Sequence, residues 1–394
     1  MLAKSVSVDP VVWNRRARRR VAAWCASAVA IVSVAACSSG SPESTASGAS
    51  GAPGSSGANV ATAKAAIAPF IGQASNFPVT EPLSKALPPG KKFAYMQCST
   101  PVCGQVAKSF QQAVEVLGGE LTIVNAGGTA QTAQAAASSV LALKPDVVIL
   151  SGADPTLYGG SLKALSDAGT KVVSIQVNKD VKPFGIAFNY LGPELSQQNG
   201  TLLADWVIAN QGSDADAVFY SLPALDLSVN VQKAFEAEMS KNCPSCKVRA
   251  VPIDVTTVGT TSSRTVVTDL QAHPSTNVAV FVSFQVAAGL PSAMKAAGLT
   301  VKTVGFAPTT GNLQDIKDGG LTAGLAIDFP VSVWTAVDAA ARLVLGDQPT
   351  QGETTGKVPE QFLEQKDITF DPTKGWSGYP DYSQRFAKLW HPAG

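Results

Sequence analysis

The stretch Leu143-Lys144-Pro145-Asp146-Val147-Val148-Ile149-Leu150, followed after a polar interval by Ala168-Gly169-Thr170-Lys171-Val172-Val173-Ser174-Ile175-Gln176, sets the architecture of this chain. Each part carries a near-continuous apolar run of strand length, entered through proline, glycine or polar residues. A strand with one wet face alternates apolar and polar side chains, whereas a run without alternation is buried on both faces. The same pattern repeats outward in both directions. Apolar runs occupy 93–97, 121–124, 147–150, 172–176, 186–189, 217–220, 248–253, 278–282, 301–306 and 323–327, with helical patterns between most of them, as at 106–117, 129–143, 195–210, 230–241 and 287–297. Strands that alternate with amphipathic helices form parallel sheets covered on both sides. Ten strands exceed what one small sheet usually holds. The expected fold is therefore α/β, with two doubly wound parallel-sheet lobes joined by a hinge.

The first part of the chain has another character. Six of the 30 basic residues (Lys4, Arg15, Arg16, Arg18, Arg19 and Arg20) precede an apolar segment at 21–36, together with Asp9, one of the 29 acids. The rest of the chain keeps 24 basic against 28 acidic residues, which argues against nucleic acid as a partner. A positive run before an apolar segment shorter than the ~20 residues of a membrane span reads as a targeting signal, residues 1–37. It ends Val34-Ala35-Ala36-Cys37, which resembles the bacterial lipobox, where the cysteine takes the lipid and becomes the new N-terminus. Residues 38–59 are almost wholly Ser, Gly, Ala, Pro and Thr, the composition of a flexible tether. The expected product is a protein lipid-anchored to the cell membrane, facing its extracellular or periplasmic side. A helical lead-in is expected at 60–90.

Four of the six cysteines lie beyond the anchor, at Cys98, Cys103, Cys243 and Cys246. In an oxidising compartment the nearest pairing gives Cys98–Cys103 and Cys243–Cys246, two clips that fix loop shape. Cys243-Pro244-Ser245-Cys246 has redox spacing, but a thioredoxin-like thiol needs a helix N-terminus, and this motif follows a helix. His273 and His391 are the only histidines and neither has a ligand-spaced neighbour, so no metal or other cofactor is expected. No nucleophile elbow or phosphate loop occurs, which leaves an enzyme without machinery. Gly127-Gly128, between a strand and a helix, reads as a tight turn before an anion site.

Doubly wound sheets hold ligands beyond the carboxyl ends of their strands. The candidate ligand residues are accordingly those just after a strand. They are Gln97, Ser99, Thr100 and Val102 after the first run, Asp154 after the third, and Gln176 and Asn178 after the fourth. From the second half come Leu225 and Asp226, Ser283 and Phe284, Ala307, and Asp328 before Phe329-Pro330. Asp154 and Asp226 each have a plainer reading as a helix N-cap.

Several segments resemble the type I periplasmic binding proteins, sugar-binding branch. They are Lys91-Lys92-Phe93-Ala94-Tyr95-Met96 with Leu117-Gly118-Gly119, the two strands quoted first, Val304-Gly305-Phe306, Ile316-Lys317-Asp318-Gly319-Gly320-Leu321, and Pro330 through Gly346. The resemblance runs in order over 91–346 and implies a first lobe of 91–187 plus 329–347 and a second of 188–328 plus 348–394. It also implies a solute-binding lipoprotein, monomeric, that closes two lobes over a small molecule and delivers it to the permease of an ABC importer. A ligand-sensing co-receptor with the same fold is the alternative, and genomic neighbours would separate the two. A repressor sharing the fold would need a helix-turn-helix where this chain has its signal and tether. Sugar binders of this type hold hydroxyls with aspartates, an arginine and aromatics. Here Gln176, Ser283, Phe284 and Ala307 stand at expected polar positions, so the resemblance implies a sugar or a less hydroxylated, partly apolar ligand.

Overall fold

The computed structural model describes residues 58–74, 77–98 and 101–391, the side chains of Pro101, Val102 and Asp226 excepted. The signal segment, Cys37 and most of the tether lie outside the described residues. After helix α1 (Val60–Ile67) the first lobe is built from β1 (Lys92–Cys98), α2 (Pro101–Leu117), β2 (Glu120–Gly127), α3 (Ala130–Leu143), β3 (Val147–Ser151), α4 (Ser161–Asp167), β4 (Lys171–Ile175) and β5 (Ile186–Tyr190). Its strands are all parallel in the order β2-β1-β3-β4-β5.

The unbroken apolar runs explain why helices cover both faces. Successive side chains of a strand point to opposite sides. Phe93, Tyr95, Val147 and Ile149 fall in one buried cluster with Phe110 and Val114 of α2. Their neighbours Ala94, Met96, Val148 and Leu150 fall in a second, with the α3 residues Ala136 and Val140.

The second lobe repeats the plan. It comprises α5 (Pro193–Gln211), β6 (Asp216–Ser221), α6 (Asp226–Asn242), β7 (Lys247–Pro252), α7 (Ser262–Ala272), β8 (Val278–Phe281), α8 (Leu290–Ala296), β9 (Lys302–Phe306), α9 (Thr310–Lys317) and β10 (Ala323–Ile327). The order β7-β6-β8-β9-β10 matches the first sheet strand for strand. Helix α10 (Phe329–Leu345) then returns to the first lobe, against α2 and β4. It is followed by α11 (Gln351–Thr354), β11 (Glu360–Glu364) and α12 (Tyr382–Trp390). All ten expected strands are present. Strand β11, apolar only at Phe362 and Leu363, escaped the sequence pattern and joins the second sheet antiparallel to β10.

Three boundaries differ from expectation. Strand β5 carries the first sheet to Tyr190, past the expected limit at 187. The lead-in is α-helical only to Ile67, and it touches both lobes. Asn59, expected in the tether, caps α1, and its amide donates to Asn242 O at 2.7 Å. Farther on, the Arg342 guanidinium of α10 donates to Glu81 O (2.5 Å) and Pro82 O (3.2 Å). The tail, expected on the second lobe, divides. Strand β11 stays there, while α12 packs on α10 and α2 of the first lobe. The cause is an apolar stripe: the Trp390 ring stacks on Trp334 at 5.1 Å, and its Nε1 donates to Asp338 Oδ1 at 2.6 Å.

Candidate functional site

Because both sheets are parallel and arranged alike, the carboxyl ends of their strands face one another across a cavity of about 200 Å³. The first lobe contributes Cys98 at the end of β1, Ser151 at the end of β3 with Gly152 after it, and Gln176 after β4. From the second lobe come Leu225 after β6, Ser283 and Gln285 after β8, and Phe306 and Ala307 at the end of β9. The start of α10 adds Phe329, Ser332 and Val333, an i, i+3, i+4 stripe.

Two of these residues hold strained backbone. Gln176 (φ 59°) and Ala307 (φ 56°) occupy the left-handed region, which costs a residue with a Cβ of order 1 kcal/mol. They stand at equivalent places in the two sheets. The Gln176 amide donates to Tyr190 O at 2.8 Å, and the Ala307 amide to Leu325 O at 2.9 Å. In each case the chain turns sharply off the strand while keeping one more ladder bond, which lays that residue along the cavity wall.

The walls are mostly apolar and the polar groups few. The Ser151 hydroxyl lies 2.7 Å from Tyr95 OH, whose pKa burial pushes up to about 12 despite that bond. Asp154 is the only carboxylate among the described lining residues. Partial burial pushes its pKa up, but Lys179 Nζ at 2.5 Å and the amide and hydroxyl of Thr156 outweigh this, and the net shift is downward. The carboxylate caps the turn Pro155–Tyr158, so the N-cap reading holds for Asp154. Gln285 Nε2 donates to Ser283 Oγ at 3.2 Å, whereas Gln285 Oε1 is buried with no hydrogen-bond partner among the described residues. A buried amide oxygen left unpaired costs about 1–3 kcal/mol, which a donor on a bound molecule would relieve if the Gln285 side chain turned to meet it.

Of the expected ligand residues, Asp154, Gln176, Ser283 and Ala307 line this cavity, as does Leu225. Ser99 and Thr100, and the side chains of Val102 and Asp226, lie outside the described residues. Four others are placed elsewhere. Gln97, on β1, does not line the cavity. Asn178 bridges the lobes instead: its Oδ1 accepts from Asn230 Nδ2 of the second lobe at 3.0 Å, and its Nδ2 donates to Gln176 O at 3.2 Å. Phe284 turns into the core, 0% exposed, because Gly305 opposite has no Cβ to exclude its ring. Asp328 is likewise 0% exposed and is a structural hub. Its Oδ1 caps α10 through the Val331 amide (3.1 Å), and its Oδ2 accepts from Ser377 Oγ and the Gly378 amide, both at 2.8 Å.

The sequence reading missed Gln285, Phe306, Phe329 and Val333. For the last two a signal existed, since the helix after β10 begins at the hinge and its first turn must face the cleft. The cysteines pair as Cys98–Cys103 and Cys243–Cys246. The first pair borders the cavity, and the second closes the turn between α6 and β7. Among the described residues no group of His, Cys, Asp and Glu is placed to hold a metal ion, and no helix is long and apolar enough to cross a membrane.

A family model described as "Periplasmic binding protein domain" matches residues 93–348. No protein with a curated function matches the chain. Among solved structures, an ABC transporter solute-binding protein from Agrobacterium vitis with bound allitol is similar, at 20% identity and TM-score 0.61, covering 70% of this chain and 96% of its own. A periplasmic ribose ABC transporter protein from Conexibacter woesei gives 14% identity and TM-score 0.61, covering 77% and 99%. A Mycobacterium smegmatis protein in complex with β-D-fucofuranose gives 19% and 0.59, covering 77% and 98%. At such identities the likeness is one of fold.

Proposed function

The chain belongs to the periplasmic binding protein domain family, and from that premise we propose that it captures one small solute between its lobes and delivers it to an ABC importer. The observation that carries the reading is the cavity itself, formed by strand ends of both sheets, so that a bound molecule touches both lobes at once. Lobe closure around a ligand gives a transporter a bound shape to recognise. The family is one of binding proteins rather than enzymes. The solutes named for the similar structures, allitol and β-D-fucofuranose, make a carbohydrate or polyol the first class to test.

The lining argues for a ligand with fewer hydroxyls than a free pyranose. The one carboxylate among the described lining residues is already bound by Lys179 and Thr156, and large parts of the wall are Leu225, Phe306, Phe329 and Val333. Ser283, Gln176 and the unpaired Gln285 Oε1 remain for hydrogen bonds. Anchoring through Cys37 would hold the protein near its permease, with residues 38–57 as the tether. Radiolabelled fatty acid that failed to label the wild type, or that labelled Cys37→Ser equally, would rule the anchor out.

Thermal-shift screening of the full chain tests the capture function. Pentoses, hexoses, deoxy-sugars and polyols are the panel. We expect one or a few related solutes to raise Tm, deoxy-sugars or short polyols ahead of hexopyranoses. A panel that leaves Tm unmoved throughout argues against carbohydrate capture.

A further inference from the structure

We propose that a second cavity, separate from the cleft, binds a small hydroxylated anion of the sugar-acid type. This goes beyond the capture function and does not depend on it. The cavity has a volume of about 470 Å³, opens to solvent, and is bordered by four parts of the molecule. One wall is a polar stripe of α2, Gln105, Lys108, Ser109 and Gln112, whose spacing places all four on one helix face. Opposite are Pro308 and Thr310 of the second lobe. The hinge at Ile327–Pro330 forms one side, and Lys374, Trp376 and Tyr382 of the tail close another. Val106 and Phe329 line both this cavity and the cleft, so a single layer of side chains separates the two.

The lining selects a ligand class. Among the described residues it contains two lysines and no aspartate or glutamate. Neither Lys108 nor Lys374 forms an ion pair among the described residues. Asp371 Oδ1 accepts from the Thr373 amide (3.0 Å) and hydroxyl (2.8 Å), and its carboxylate also feels the charge of Lys374, so Lys108 is the less compensated of the two; buried Asp328 is satisfied by the hinge and tail. Ser109 Oγ is buried with no hydrogen-bond partner among the described residues. With Gln105, Gln112, Thr310 and Thr373 beside it, the cavity offers donors and acceptors for several hydroxyls, and Trp376 and Tyr382 offer ring surface for a sugar carbon chain. An anion held there touches both lobes, the hinge and the tail. By linkage it favours the lobe arrangement that forms the cavity.

The test compares gluconate with sorbitol, two chains of equal carbon count that differ in the carboxylate, by titration calorimetry on the full chain. Gluconate should bind at one site and sorbitol much more weakly. Lys108→Gln and Lys374→Gln, both on exposed side chains, should each weaken gluconate by about threefold, as expected for partly exposed charge pairs. Added salt should weaken it further. The proposal is overturned if gluconate shows no saturable binding, if it binds no tighter than sorbitol, or if neither substitution changes its affinity. The last outcome also covers gluconate binding in the main cleft, which neither lysine lines.

Discussion

Asn178 of the first lobe and Asn230 of the second join the two lobes directly, Asn230 Nδ2 donating to Asn178 Oδ1 at 3.0 Å. Asn178 in turn holds the carbonyl of Gln176, whose left-handed backbone forms part of the cavity wall. The contact therefore joins lobe closure to the shape of the site. Asn230→Ala should weaken capture by about two- to tenfold, the worth of one partly exposed hydrogen bond, while the Tm of the ligand-free protein hardly changes. Calorimetry beside a melting curve separates the two effects. A large drop in ligand-free Tm would assign the pair to fold stability instead.

Phe284 should behave as a core residue and not as a ligand contact. Its ring packs on Phe281 at 5.6 Å and fills the space beside Gly305. Phe284→Ala should cost about 3–5 kcal/mol in a denaturant titration, the usual range for a buried phenylalanine. Protein that remains folded should bind its solute within a small factor of wild type. Lost affinity without lost stability would return Phe284 to the site.

Glu360 predicts a pH dependence. Complete burial pushes its carboxyl up to about 8 from an ordinary 4.5, with the hydrogen bond from Gln198 Nε2 (2.9 Å) offsetting only part. The folded chain thus holds a proton that the unfolded chain releases above 4.5. Stability from this group is full below that value and is lost as pH rises through about 8. Glu360→Gln removes the dependence and keeps the acceptor. Its Tm should match wild type near the lower value, exceed it increasingly with rising pH, and hold a constant lead above the upper one. Asp205 and Asp328, also pushed up by burial, act in the same direction in both proteins and cancel in the comparison. A Tm difference that does not vary with pH would show that Glu360 is ionised in the folded state.

How much of this was legible in the sequence follows from which interactions are local. The strand pattern was legible because burial on both faces removes polar residues from runs such as 147–150, whatever the rest of the chain does. Cavity positions at strand ends followed from the fold, which is why Gln176, Ser283 and Ala307 were found. Direction at a strand end was not legible. Phe284 and Gln285 are adjacent, and the turn Phe284–Ala287 sends one into the core and the other to the cavity. Asp328 was misread because its partners Ser377 and Gly378 are some fifty residues away, in a tail with no pattern of its own. The same distance hid the return of α12 to the first lobe, which depends on Trp334 and Trp390 stacking.

The central claim is that one solute binds between the lobes, against the strand ends of both sheets. Its most direct test is calorimetry of the best solute from the screen against wild type, Gln285→Ala and Phe306→Ala, repeated at several temperatures. One site per chain is expected, with a negative heat-capacity change from burial of the apolar wall and roughly tenfold or greater loss of affinity in each variant. A solute that binds both variants as tightly as wild type would place its site outside this cavity and contradict the account.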